Sequence, residues 1–61
     1  RLQEITKAIG ELNDELRVPF TMYVSGYHYN EIADALDIPL GTVKSRIFFA
    51  RQALKTKIEE N

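Results

Sequence analysis

The chain has 61 residues, no cysteine and a formal net charge of −1, so it forms at most one small domain, burying only about 60% of the surface its unfolded form exposes. Neither disulfides nor thiolate zinc ligation can supplement the core, which favours a compact bundle of helices held by apolar packing. Apolar runs fall far short of the roughly 20 residues that span a bilayer and no charged-then-apolar leader opens the chain, so no membrane insertion is expected and a cytoplasmic setting fits.

Leu2, Ile5, Ile9 and Leu12 recur at intervals of three and four, the spacing of one helix face. This predicts a first amphipathic helix ended by Gly10 and Asn13. No cap residue precedes Arg1-Leu2, so the residues are expected to have been cut from something longer. Asn13 is a good N-cap for a second helix, with Asp14 and Glu15 at the positive end of its dipole and Leu16, Phe20, Tyr23 and Val24 as its apolar face. Pro19 lies one turn too deep for a first-turn proline, which predicts a kink or a late helix start. Ser25-Gly26 closes the element, with Gly26 suited to a left-handed C-terminal position.

Tyr29, Ile32, Ala33 and Leu36 form a complete apolar stripe on a short third helix, with Asn30, Glu31, Asp34 and Ala35 on its other face. A tight corner follows: Asp37 tolerates left-handed backbone, Ile38 can plug the core, and Pro39 presets the first position of a fourth helix running to about Ile58. Helix, short corner, helix is the helix-turn-helix plan. The expected fold is therefore all-α, a small four-helix helix-turn-helix domain over residues 1–61 with its recognition helix at about 40–58.

The net charge conceals an asymmetry. Residues 1–38 carry three cations against seven carboxylates, a net of −4, whereas residues 39–61 carry five against two, a net of +3. The positive part is the fourth helix, where a basic stripe attracts phosphate even on a weakly acidic chain.

On a helical wheel, Val43, Ile47, Ala50, Leu54 and Ile58 make one core stripe. The opposite face collects Gly41, Lys44, Ser45, Phe48, Gln52 and Lys55, a mixture of cation, hydroxyl, amide and aromatic ring that suits a DNA groove. The bland alternative is a solvated face. Gly41 in the first turn costs about 1 kcal/mol relative to alanine, which close approach either to DNA or of the two corner helices would explain. Thr42 lies where its hydroxyl and the free N–H groups of the helix start can hold a phosphate. Arg46, at the border of core and exposed faces, is expected to clasp Glu31 or Asp34. Arg51, Lys55 and Lys57 are candidate phosphate contacts, although cations near a helix C-terminus also complement its dipole. Phe49 lies off the core stripe and is expected either to pack on the first or second helix or to mark a contact with another protein. His28 is the only histidine and no catalytic constellation, cofactor or metal site is found; an enzyme is not expected.

The runs Gly26-Tyr27-His28-Tyr29-Asn30-Glu31-Ile32-Ala33, Ile38-Pro39-Leu40-Gly41-Thr42-Val43-Lys44-Ser45-Arg46 and Phe48-Phe49-Ala50-Arg51 closely resemble region 4 of bacterial sigma-70 family factors of the extracytoplasmic-function group, over roughly residues 12–55. The resemblance implies a winged-helix-like domain that binds the minus-35 promoter element in the major groove, touches the flap of core RNA polymerase and is a frequent target of anti-sigma factors. Carried over by position, Lys44, Ser45 and Phe48 match base-reading positions, and Thr42, Tyr29 and Asn30 match backbone contacts. His28 stands where a capping serine is common, which predicts loss of the capping box around Glu31 and a cap by Asn30 instead. Asp37 replaces a common glycine, and Phe49 a common arginine, removing a phosphate contact. Region 2, which melts DNA, is absent from these residues. The expected function is minus-35 recognition in transcription initiation by a monomer. The alternatives are a response-regulator output domain, against which Ser45-Arg46 and Ala50-Arg51 speak, and a protein-interaction module using Phe48 and Phe49.

Overall fold

In the computed structural model, which describes residues 2–59 and, of Leu2 and Glu59, only the backbone, the chain forms α1 (Leu2–Gly10), α2 (Asp14–Val24), α3 (Tyr29–Leu36) and α4 (Leu40–Glu59). The helices fall where the periodicity places them.

α1 packs through its C-terminal half. Ala8, and Leu12 in the turn that follows, are buried and Ile9 half-buried, while Ile5 is exposed; Leu2, expected on the same face, lies outside the described side chains. The α1–α2 turn ends on Asn13, whose Oδ1 accepts from the Leu16 N–H at 3.1 Å, the expected N-cap.

α2 starts at Asp14 and runs continuously through Pro19, so the late start predicted from that proline does not occur. The buried stripe is Leu16, Pro19, Phe20 and Tyr23, with Pro19 fully buried and Val24 56% exposed. Those four follow the i, i+3, i+4, i+7 rule. The expected face, with Val24 in place of Pro19, is turned by about 35° from the observed one; the proline ring is as apolar as the slot it fills.

α2 ends in a Schellman motif. Gly26, at φ 108°, donates to the Tyr23 carbonyl and Tyr27 to the Met22 carbonyl, both at 3.1 Å.

α3 is N-capped by His28, not Asn30. The His28 N–H donates to Glu31 Oε1 at 2.8 Å, so the glutamate half of the capping box survives without the serine and Asn30 is inside the helix. Ile32 is fully buried, Ala33 nearly so, and Tyr29 and Leu36 are half-buried beside them. The corner then forms as expected. Asp37 adopts φ 56°, ψ 49°, and the Ile38 N–H reaches back to the Ala33 carbonyl at 3.1 Å. Pro39 precedes α4 as its cap residue rather than its first turn: its carbonyl accepts from Thr42 and Val43 at 3.0 and 3.2 Å.

α4 organises the molecule. At about 1.5 Å per residue its 20 residues account for most of the 35 Å long axis. It packs against all three other helices, most extensively α2. Val43, Ile47, Ala50 and Leu54 are buried as expected, and with Ile32 and Pro19 they form the centre of the core. The stripe stops at Leu54. Ile58 is exposed, because the last turn meets α1 only at its edge, where Lys57 Nζ pairs with Glu11 Oε1 at 3.1 Å.

Candidate nucleic-acid interface

Because α4 buries Val43, Ile47 and Ala50, the helix rotation is fixed and Gly41, Lys44, Ser45, Phe48, Gln52 and Lys55 all face solvent. Phe48 is 52% and Phe49 57% exposed. The two rings meet edge-to-face, 5.5 Å between centroids and 74° between planes. Phe49 therefore does not pack on α1 or α2; its ring partner is its neighbour on α4.

At the start of α4, Thr42 is half-buried and its N–H and that of Val43 are already bonded to Pro39. Among the described residues, the N–H groups of Leu40 and Gly41 have no hydrogen-bond partner. Together with the dipole, they give this end affinity for an anion. A Cβ built on Gly41 meets nothing within 4 Å. Close approach of the corner helices therefore does not require the glycine.

The cations on α4 divide three ways. Lys44 Nζ lies 6.0 Å from the centroid of the Tyr29 ring on α3. The Arg51 guanidinium donates to the Tyr23 hydroxyl at 2.9 Å and sits 5.2 Å from that ring's centroid. Tyr23 and Tyr29 are stacked on each other, 5.3 Å apart at 18°, an offset geometry that aromatic pairs favour. Lys55 is exposed, while Lys57 is drawn to Glu11 at the opposite edge.

Arg46 is half-buried, but among the described residues it forms no ion pair with Glu31 or Asp34, and Glu31 is engaged with the His28 N–H. Among the described residues the expected clasp is absent, and Lys57–Glu11 is an ion pair that ties α4 to the rest of the chain. Asn30 is exposed at the start of α3, and Tyr29 is held under Lys44 on the same side of the molecule. Sequence reasoning missed the role of Tyr23, which it assigned to the apolar face of α2. The available signal was the hydroxyl, which favours a core edge over a core centre. No group of three or more His, Cys, Asp or Glu among the described residues is placed to hold a metal ion, and no helix is long and apolar enough to cross a membrane.

An N-capped helix pair, a left-handed corner and a following helix with one buried and one polar, cationic face define a small all-α helix-turn-helix domain. The family Sigma-70, region 4, matches residues 2–54, and the chain belongs to it. Over 58 residues it is 41% identical to proteins named ECF RNA polymerase sigma-E factor from Escherichia coli K12 and Salmonella typhi, covering 93% of this chain and 30% of each relative. A Haemophilus influenzae protein of the same name is 40% identical over 52 residues, covering 84% of this chain and 28% of the relative. These relatives agree with the resemblance to the extracytoplasmic-function group. The chain spans about 30% of the length of the curated relatives it matches. No solved structure matches it.

Proposed function

We propose that the chain is the minus-35-reading domain of an RNA polymerase sigma factor, inserting α4 into the major groove and serving transcription initiation as one domain of a longer polypeptide that supplies region 2. The observation that carries this reading is the fixed rotation of α4: burial of Val43, Ile47 and Ala50 leaves Lys44, Ser45 and Phe48 together on the outward face. Lysine reaches guanine O6 and N7, serine reaches several base edges, and an aromatic ring rests on a thymine methyl. Gly41 and Thr42 at the helix start, Tyr29 and Asn30 on α3, and Arg51 further along α4 hold phosphates and set the register. Core RNA polymerase, through its flap, and an anti-sigma factor are the proposed protein partners; the setting is the cytoplasm.

Selection from a random duplex pool tests this. The parent chain should enrich one motif, and Lys44→Ala and Phe48→Ala should each alter it at separate positions; an unchanged motif removes these residues from base reading. A second reading, protein docking through α4, is favoured by the exposed Phe48–Phe49 pair. Light scattering separates the two, since a monomer whose DNA binding depends on salt leaves the pair free for the groove.

A further inference from the structure

Lys44 and Arg51 occupy one edge of α4, seven residues apart, which is two turns or about 10 Å along the axis. Among the described residues neither is in an ion pair. Instead each lies against a tyrosine, and the two tyrosines lie against each other: Lys44 on Tyr29, Tyr29 on Tyr23, Tyr23 on Arg51. The row crosses three helices, since Tyr23 is on α2, Tyr29 on α3 and both cations on α4.

We propose that Tyr23 is a positioning residue for DNA binding, holding Arg51 and, through Tyr29, Lys44 in the spacing at which they meet the nucleic acid. The inference rests on the DNA-reading role given to α4 above. A long cationic side chain loses much rotamer freedom when it is fixed on a ligand, and a contact already made in the free protein takes part of that loss in advance. The ring contacts do this without consuming what phosphate needs. A guanidinium has five N–H donors; the Tyr23 hydroxyl takes one and the ring none. The remaining donors can still form the paired contact that arginine makes with phosphate. Lys44 keeps all its donors, because its contact with Tyr29 is to the ring. Tyr23 also refers the cations to α2, the helix that α4 packs on most extensively, so their spacing is set by the core and not by α4 alone.

The test is a double-mutant cycle on the 61-residue chain, read as affinity for a duplex selected from the random pool, at a temperature where circular dichroism shows every variant folded. Tyr23→Leu should weaken binding about three- to tenfold, the range of one partly exposed cation–ring contact and its hydrogen bond. Tyr23→Phe, which keeps the ring and loses the hydroxyl, should weaken it less. In an Arg51→Ala background the Tyr23→Leu loss should shrink, because the group it positions is gone. An equal loss in both backgrounds makes Tyr23 a merely structural residue and overturns the inference, as does unchanged or tighter binding by Tyr23→Leu. Should Tyr23→Leu fail to fold, the same cycle run with Tyr23→Phe decides, since the ring packing is retained. Should Arg51→Ala and Lys44→Ala both bind like the parent, it is the reading face that fails, an outcome distinct from the failure of Tyr23 alone.

Discussion

The salt dependence of DNA binding follows from how α4 sorts its cations. Lys44, Arg51 and Lys55 are exposed on the outward side, whereas Arg46 is half-buried toward the core border and Lys57 pairs with Glu11. Counting Lys44 in the groove and Arg51 and Lys55 on the backbone at about −0.9 each gives a slope of log affinity against log salt near −2.7, slightly shallower than the roughly −3 to −5 that a small helix-in-groove site suggests before the cations are sorted. A fourfold rise in salt should then weaken parent binding about 40-fold. Lys44→Ala removes one contact, so its slope should fall to about −1.8 and the same rise in salt should weaken it only about 12-fold. Lys57→Ala should leave the slope at the parent value. Fluorescence anisotropy with a labelled duplex, titrated at several salt concentrations, measures all three slopes. Equal slopes for parent and Lys44→Ala would refute the assignment of Lys44 to phosphate or groove contact, and a shallower slope for Lys57→Ala would refute the sorting.

Further expectations concern stability. Ile47→Ala empties a position that is only 1% exposed; such truncations cost about 2–5 kcal/mol, a large share of the roughly 3–9 kcal/mol a chain this size has in total. Urea denaturation followed by circular dichroism should show a much lower midpoint, and a loss under about 1 kcal/mol would place the core elsewhere. Asn13→Ala removes the cap on the Leu16 N–H and should cost about 1 kcal/mol, a fall in Tm of roughly 4–8 °C. Gly41→Ala adds a methyl where nothing lies within 4 Å, so stability should hold or rise by up to about 1 kcal/mol while DNA affinity falls. Unchanged affinity would show that no backbone approach occurs at Gly41.

Elements governed by local chemistry were legible in the sequence: the Asn13 cap, the positive φ at Gly26, the left-handed Asp37 and the buried stripes of α3 and α4 down to Leu54. What escaped depends on which helices meet. Val24 and Ile58 continue apolar patterns beyond the helices that cover them, and Pro19 is a breaker by propensity but a core residue by its surroundings. Arg46 pairs with neither Glu31, which accepts from the His28 N–H, nor Asp34, and its half-buried place at the core border is set by how the helices meet. Tyr23, Tyr29, Lys44 and Arg51 join only through packing of three helices, which periodicity along one helix does not encode.

The division of α4 into a buried and an outward face has a consequence for how such a domain can be redesigned. Val43, Ile47, Ala50 and Leu54 carry the fold, and Lys44, Ser45, Phe48, Phe49 and Gln52 carry none of the buried core. Libraries confined to the outward positions can therefore be searched for new sequence preferences while every member keeps the same hydrophobic centre. Preference and foldedness become independent coordinates of one helix.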